Sequence, residues 1–261
     1  MKGQNSRIYR SPRFWQRIAP WLESIAIVGW GLLLLKLWIF GQLYLLIHPN
    51  YIALTVCAGF GLVAIGGMEA TRVWWRQRNG ANLDRSQHVT FMMPSWSNSL
   101  LLATAILGLL ISPRPFASEK AIHRGVTDGI TATRSAPQSF RASNRPEDRT
   151  LVEWVRTLNV YPEPDAYTGQ KVKVKGFVVY SKDLPDDIFL LTRFVITCCA
   201  ADVYPVSLPI KVAQSRTAYP ADKWFEVEGQ MTTETLTNRR QLLVQASNLT
   251  PIPEPQNPYE Y

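Results

Sequence analysis

Two adjacent cysteines, Cys198 and Cys199, followed by Asp202, are the residues whose types and spacing favour chemistry. Thiolates and a carboxylate are suitable ligands for zinc or copper, and His123 is a conceivable further ligand. The cysteines do not form a Cys-x-x-Cys pair, and the sequence has no second cysteine cluster. A disulfide between them is disfavoured, because neighbouring α-carbons lie ~3.8 Å apart and disulfides usually span ~4.4–6.8 Å.

The segment that carries the cysteines predicts a β-strand over residues 188–199, followed by a turn and a second strand. Alternation along that strand places Cys198 on the core face and makes Cys199 the more accessible thiol. The residues leave three roles open: structural use in the core, metal or thiol chemistry, and an interface with a partner.

No other catalytic pattern stands out. The histidines fall in a predicted membrane turn (His48), a cytoplasmic loop (His88) and a linker (His123), so none is placed in the β-domain as a base for a thiol. Glycine-rich phosphate loops are absent. We therefore expect a protein that is not an enzyme.

The elements that position the cysteines form an all-β C-terminal domain, residues 146–261. Its five strand-like segments are residues 171–180, 188–199, 203–212, 224–231 and 241–249. Gly176 and Gly229, inside strands, are typical of a bulge or a tight barrel corner. An amphipathic helix that ends near Leu158 precedes the strands. The pattern favours an OB-like five-stranded barrel, and a sandwich or an SH3-like barrel would give nearly the same pattern.

A basic strand face is the second candidate site, because OB barrels often bind through an exposed sheet face. Its binding or interface residues are Lys171, Lys173, Lys175, Arg193 and Trp224. A solvated basic face without a ligand is the alternative interpretation.

The N-terminal half predicts a transmembrane region, residues 25–112, behind a basic cytoplasmic N-terminus, residues 1–24. Crossing ~30 Å of hydrocarbon takes about 20 apolar residues. Two or three segments meet this length: about 25–47, 51–70 and, with a polar start, 91–111. A linker, residues 113–145, follows.

Glycines in the second segment are spaced so that another helix could approach closely. They are Gly59, Gly61, Gly66 and Gly67. The alternative is that glycine is simply common in membrane spans.

Charge sets the predicted orientation. Residues 1–112 carry +7 and residues 113–261 carry +1 of the net +8. Basic flanks at the N-terminus and at residues 71–90 predict that both are cytoplasmic, with the His48 turn outside. Three spans then place the β-domain on the extracytoplasmic side of a plasma membrane. The nearly neutral β-domain argues against nucleic acid as a partner.

Several strings together resemble the YcgQ-type family of uncharacterised bacterial membrane proteins. They are Gly176-Phe-Val-Val, Cys198-Cys-Ala-Ala-Asp202, Trp224 with Val227-Glu-Gly229, and the closing Pro258-Tyr-Glu-Tyr261. The resemblance covers most of the sequence. It implies one half of a two-component permease whose other half is a polytopic permease of the YcgR type. The Cys-Cys-Ala-Ala-Asp string is its signature, with no assigned chemistry.

The functional hypothesis is an accessory or regulatory subunit of a membrane permease, with a β-domain that binds a solute, a metal or the partner. One alternative is a membrane-anchored thiol or metal-binding protein that acts through Cys198 and Cys199. The other is a cytoplasmic OB-type binding module, which requires that the third segment does not span.

Overall fold

The computed structural model describes residues 13–79, 94–124, 145–236 and 239–261. The predicted N-terminal tail before Arg13, the start of the third apolar segment and residues 125–144 of the predicted linker lie outside the described residues. The chain divides into two units. The helix unit holds the N-terminal helices up to Pro113, and the strand unit holds Tyr44–His48 together with Arg114–Tyr261.

Three helices form the described part of the helix unit: α1 (Arg13–Ile39), α2 (Ile52–Arg78) and α3 (Pro94–Leu110). Within the described residues, Pro20–Ile39 and Pro49–Arg78 are long and apolar enough to cross a membrane, with mean hydropathies of 1.8 and 1.9. Signal sequences and core helices of soluble proteins share this length and composition. The described part of α3 is a shorter apolar helix.

The first predicted span, residues 25–47, is too long at its C-terminal end, because α1 ends at Ile39. Gly41 has a φ of 66°, the left-handed conformation that favours glycine after a helix. The Gly41 N–H bonds to the Trp38 carbonyl at 3.0 Å and the Gln42 N–H to the Leu37 carbonyl at 2.7 Å, which is a Schellman motif. This motif stops α1 and turns the chain away from it.

Glycines let α1 and α2 approach closely. A Cβ on Gly31 would lie 2.8 Å from the Gly59 carbonyl oxygen, and one on Gly66 would lie 2.6 Å from a valine methyl of α1. Gly61 and Gly67 meet nothing within 4 Å. The predicted close packing is therefore confirmed at Gly59 and Gly66 and not at the other two.

α3 runs parallel to α1. The Trp30 indole donates to the Leu101 carbonyl at 3.0 Å, and the Lys36 ammonium donates to the Leu109 carbonyl at 2.7 Å. Contacts thus advance in the same direction along both helices. The Lys36 charge meets the C-terminal carbonyls of α3, where a cation is favoured by the helix dipole.

Two helices belong to the strand unit within the described residues. Residues 118–123 of the predicted linker form α4 (Ser118–His123), and the predicted amphipathic helix is α5 (Leu151–Val160). A capping box starts α5: the Thr150 hydroxyl accepts from the Glu153 N–H at 3.2 Å, and the Glu153 carboxylate accepts from the Thr150 N–H at 2.8 Å. Short 3-10 helices lie at Leu43–Leu45, Pro49–Tyr51, Pro146–Asp148, Pro164–Tyr167 and Arg216–Ala218.

Six strands make one sheet in the described part of the chain. They are β1 (Lys171–Val179), β2 (Ile188–Val195), β3 (Tyr204–Lys211), β4 (Trp224–Leu236), β5 (Arg239–Ile252) and β6 (Tyr259–Glu260). Each of the five predicted segments coincides with one strand, although β4 and β5 extend beyond the predicted residues 224–231 and 241–249, and β6 was not predicted. The order is β1-β4-β5-β3-β2-β6, and β1 also pairs with β2, so the pairings of the first five strands return to β1. The β3–β5 and β2–β6 pairs are parallel and the others are antiparallel.

Two apolar clusters stabilise the sheet. The larger contains the buried residues of α5, including Trp154, and side chains from β1 to β5. The second joins β1 and β2 to Ala121 of α4 and Tyr259 of β6, with Leu45 and Phe116 packed against it. A β-bulge at Glu228/Gly229 confirms the role predicted for Gly229, where a Cβ would collide with the Gln245 carbonyl oxygen.

Candidate thiol and metal site

The cysteines lie in a turn after β2, which we call the thiol turn (residues 197–202). β2 ends at Val195, earlier than predicted, although the Ile196 N–H still bonds to the Glu260 carbonyl of β6 at 3.1 Å. Beyond Ile196 the alternation of a strand no longer decides which way a side chain points.

Asp202 organises the thiol turn. Its carboxylate accepts the Cys198 N–H at 2.8 Å, the Cys199 N–H at 3.2 Å and the Thr197 hydroxyl. Partial burial acts to raise the pKa of Asp202, but these hydrogen bonds outweigh it and hold the pKa below its ordinary value of 3.8. Asp202 is therefore an ionised cap for the turn at neutral pH, with most of its acceptor capacity in use.

The exposure of the two thiols is the reverse of the prediction. Cys198 is exposed and Cys199 is half-buried. The prediction was wrong because it extended the strand alternation to residue 199, whereas the bonds to Asp202 bend the chain before that point. The hydrogen bond to Cys199, and then the interaction with Asp202, raise the pKa of Cys198 to about 11. At neutral pH Cys198 is a protonated thiol.

The three predicted metal-ligating residues come together. One ligand atom from each of Cys198, Cys199 and Asp202 lies within 4.8 Å of the others, and the two Sγ atoms are 3.6 Å apart. Two sulfurs bound to one tetrahedral zinc ion, each at ~2.3 Å, would lie roughly 3.8 Å apart. The thiol pair is thus already close to the spacing that a tetrahedral metal needs. His123 is not in this cluster and lies 4.0 Å from Glu119.

The connection between α1 and α2 pairs with the thiol turn, which the sequence analysis missed. Ile47 forms an antiparallel bridge with Cys199. The His48 N–H donates to the Cys198 carbonyl at 3.1 Å, and the Ala200 N–H donates to the Leu46 carbonyl at 2.8 Å. These bonds make Tyr44–His48 part of the strand unit. The apolar Leu45–Ile47 segment outside α1 is the one sequence signal that points to this contact.

His48 consequently belongs to the strand unit, as does His123 at the end of α4, whereas both were predicted to lie outside the β-domain. That no histidine acts as a base for a thiol stays a prediction. The His48 ring packs edge-on against Tyr261, with centroids 4.8 Å apart. In addition, the Arg124 guanidinium donates to the Val203 carbonyl and, at 3.4 Å, to the Ala201 carbonyl. The thiol turn is therefore supported by bonds from two distant parts of the sequence, the backbone of Leu46–His48 and the Arg124 side chain.

Most of the basic residues predicted as a binding face have structural partners. Lys173 bridges Glu226 at 3.0 Å and Glu228 at 2.7 Å, and Lys175 bridges Glu226 at 3.0 Å. These bonds raise the pKa of Lys173 and lower that of Glu226. Lys171 is exposed at the start of β1. The β1–β4 register thus places glutamates next to these lysines, and their negative charge offsets most of the positive charge of this face.

Arg193 and Trp224 lie together away from solvent. The Arg193 guanidinium is 5.1 Å from the Trp224 ring centroid and 3.4 Å from the Glu260 carboxylate, and its side chain is 11% exposed. Burial lowers the pKa of Arg193 and the charge of Glu260 opposes the shift. The ion pair between Arg193 and Glu260 holds β6 on β2. Ligand binding by Arg193 and Trp224 stays a prediction.

Two family models match the chain. The DUF1980 N-terminal domain matches residues 22–127, which include most of the helix unit, and the DUF1980 C-terminal domain matches residues 145–261, which include every described strand. The chain belongs to the DUF1980 family. This family is uncharacterised, so membership gives the two-domain plan and no activity for the thiol turn. No curated protein and no solved structure matches the chain.

Proposed function

We propose that this DUF1980 protein is an accessory or regulatory subunit of a membrane permease. In this proposal α1, α2 and α3 cross the plasma membrane, and the strand unit lies on the extracytoplasmic side. The observation that carries it is the backbone pairing of Tyr44–His48 with the thiol turn. The YcgR-type permease is proposed as the partner because the resemblance to the YcgQ-type family implies it.

The surface of the helix unit supports a lipid environment. Large apolar side chains remain exposed along all three helices, by 48% to 78%: Leu32, Leu54, Phe60, Ile65, Leu107 and Leu110. Each square ångström of apolar surface left in water costs about 25 cal/mol, whereas lipid tails or partner helices remove that cost. A bilayer or a polytopic permease is a better surrounding for these faces than water.

Chain connectivity supports the side on which the strand unit lies. Tyr44–His48 joins α1 to α2, so a protein that threads both helices through the membrane keeps this connection and the strand unit on one side. Arg72, Arg76 and Arg78 lie at the other end of α2, which favours a cytoplasmic location for that end. The connection would then be extracytoplasmic.

The direction of α3 is consistent with three spans. Since α3 runs parallel to α1, a crossing by α3 returns the chain to the side of Tyr44–His48, where the strand unit begins again at Arg114. Its 17 described residues extend about 25 Å at 1.5 Å each, close to the ~30 Å of hydrocarbon.

We further propose that the strand unit is an OB-like barrel. The pairings β1–β2, β2–β3, β3–β5, β5–β4 and β4–β1 form a circuit, with a bulge at Gly229 and a close approach of β2 to Gly176, as in a small five-stranded Greek-key barrel. The second apolar cluster covers part of the outer face with α4 and β6, which leaves less of that face for a ligand.

Cysteine labelling in intact cells tests the topology. The background carries Cys57→Ala, Cys198→Ala and Cys199→Ala, and receives one reporter, either Lys182→Cys or Arg78→Cys. We expect a membrane-impermeant maleimide to label the Lys182→Cys reporter without lysis and the Arg78→Cys reporter only after permeabilisation. The reverse pattern would overturn the topology. Failure of a co-expressed YcgR-type permease to co-purify would overturn the partnership while leaving the topology intact.

A second candidate function, zinc or copper binding at the thiol turn, is favoured by the 3.6 Å between the Cys198 and Cys199 sulfurs. Two thiolates would supply the strong ligands, and Asp202 has one carboxylate oxygen with remaining capacity. The other positions would stay open for a solute or a partner residue. Because Cys198 must lose its proton, affinity should rise with pH.

Metal binding is tested on the full-length protein in detergent micelles by titrating Zn²⁺ against a chromophoric chelator. We expect one equivalent of zinc, at least about tenfold weaker binding in Cys198→Ser and Cys199→Ser, and no change in the control Cys57→Ser. Equal affinity in all four proteins would refute a site at the thiol turn.

A further inference from the structure

The cytoplasmic end of α2 carries an unassigned site, and its interpretation rests on the proposed membrane topology. α2 has 27 residues and is therefore about 40 Å long, compared with ~30 Å for the hydrocarbon core. Its N-terminal end follows directly from the connection at Tyr44–His48. The excess length, about seven to eight residues, therefore extends beyond the hydrocarbon at the other end, from Thr71 to Arg78.

This extension is basic and aromatic. Trp74 and Trp75 are 49% and 64% exposed, and the Arg78 guanidinium lies 5.3 Å from the Trp74 ring centroid. Tryptophan and arginine in this combination favour the level of lipid headgroups, where an apolar ring and a charge are both accommodated. The same residues would gain less from a purely aqueous surrounding.

Two arginines of the extension face one shallow depression. Arg72 and Arg76 are one helical turn apart on the same face, and together with Thr71 and Trp75 they line a depression of about 380 Å³. Arg72 also bridges Glu69 at 2.7 Å, which offsets part of its charge. Within the described residues, Arg76 has no carboxylate partner. The depression therefore has an excess of positive charge.

We propose that this depression binds the phosphate headgroup of an anionic phospholipid. Arg72 and Arg76 would donate to the phosphate oxygens, since guanidinium groups recognise phosphate through paired N–H donors. Trp75 would pack against the glycerol and upper acyl region. A lipid fits better than free phosphate, because the depression lies where a helix leaves the hydrocarbon and exposed tryptophans border it.

The test measures lipid retained by the full-length protein. Phosphatidylglycerol or phosphatidylcholine is titrated into protein in detergent micelles, and bound lipid is counted by native mass spectrometry. We expect phosphatidylglycerol to bind preferentially to wild type. The double variant Arg72→Gln/Arg76→Gln should weaken that binding roughly 30-fold, since each basic residue near an anionic lipid contributes about 1 kcal/mol. Millimolar inorganic phosphate should not displace the lipid.

The matched control Lys182→Gln/Lys223→Gln removes the same charge from exposed positions of the strand unit and should retain the preference. Arg72→Lys/Arg76→Lys keeps the charge and should retain most of it, which guards against a misfolded glutamine variant. Equal binding of both lipids to wild type, or an unchanged preference in the glutamine variant, would overturn the proposal. Displacement by phosphate would overturn the lipid as occupant. Micelles have no sides, so these outcomes are separate from the labelling experiment on topology.

Discussion

Replacing Asp202 with Ala should release the turn that presents the two thiols. The substitution removes the acceptor of three hydrogen bonds, two of them from the backbone N–H groups of Cys198 and Cys199. A hydrogen bond to a charged acceptor contributes about 1.5–3 kcal/mol when it is buried. Because the turn is half-exposed and water replaces the lost acceptor, we expect a total of about 2 kcal/mol. For a folded unit of this size that corresponds to a melting temperature about 4–8 °C lower.

The assay is thermal unfolding of the full-length protein in detergent micelles, combined with amide hydrogen exchange. Exchange should accelerate at Cys198, Cys199 and also His48, because the His48 N–H bonds to the Cys198 carbonyl. Thr197→Val removes only one of the three bonds and should cost about a third as much. The exposed carboxylate of Asp183 provides a control, Asp183→Ala, with no expected effect. An Asp202→Ala variant that melts and exchanges like wild type would refute the argument.

The pH dependence has a defined sign. The pKa of Asp202 is lower in the folded protein than its ordinary value of 3.8, so the ionised carboxylate stabilises the fold. This contribution is fully present above about pH 4 and is lost as the pH falls through the lower folded value. The melting temperature of wild type should therefore approach that of Asp202→Ala on acidification. Parallel curves for the two proteins from pH 6 to pH 2 would contradict this linkage.

Three further predictions concern single residues. The rate at which a maleimide alkylates Cys198 in a Cys57→Ala background should rise about tenfold per pH unit from pH 7 to 10, since its pKa is about 11; a plateau below pH 9 would exclude the raised pKa. Arg193→Ala should destabilise the strand unit by about 3 kcal/mol, measured by thermal unfolding, because Glu260 loses its ionic partner. An unchanged melting temperature would show that the pair is dispensable. Gly229→Ala should cost about 1–3 kcal/mol in the same assay, because a Cβ collides with a backbone carbonyl across the bulge; wild-type stability would mean that the bulge adapts.

Several features of this protein were predictable from the sequence because their signals are local. Apolar runs predicted α1 and α2. The alternation of valines and lysines predicted β1 as a half-buried strand, and Val172 and Val174 are indeed buried between exposed lysines. The spacing of Leu151, Val155 and Leu158 predicted the buried face of α5. In each case the period of the helix or strand decides which side chains share one face, so the order of apolar and polar residues within a short segment is enough to identify the buried face.

Other local signals were missed or extended too far. The capping box at Thr150 and Glu153 sets the start of α5, and the Schellman motif at Gly41 ends α1 eight residues before Ile47. Both are sequence-encoded, but at α1 the apolar run continues past the helix end to Ile47 and conceals the motif. β6 is only two residues long, and its pairing with β2 depends on contacts that no periodicity reports.

The tertiary structure alone decided the character of the candidate site. Cys198 and Asp202 were identified from the sequence, but which thiol is exposed depends on where β2 ends and on the bonds to the Asp202 carboxylate. The pairing of Ile47 with Cys199 joins residues about 150 positions apart, and the Arg193–Glu260 pair joins residues 67 positions apart. Such contacts leave no spacing pattern in the sequence, because the partners are far apart along the chain and only the folded sheet places them side by side.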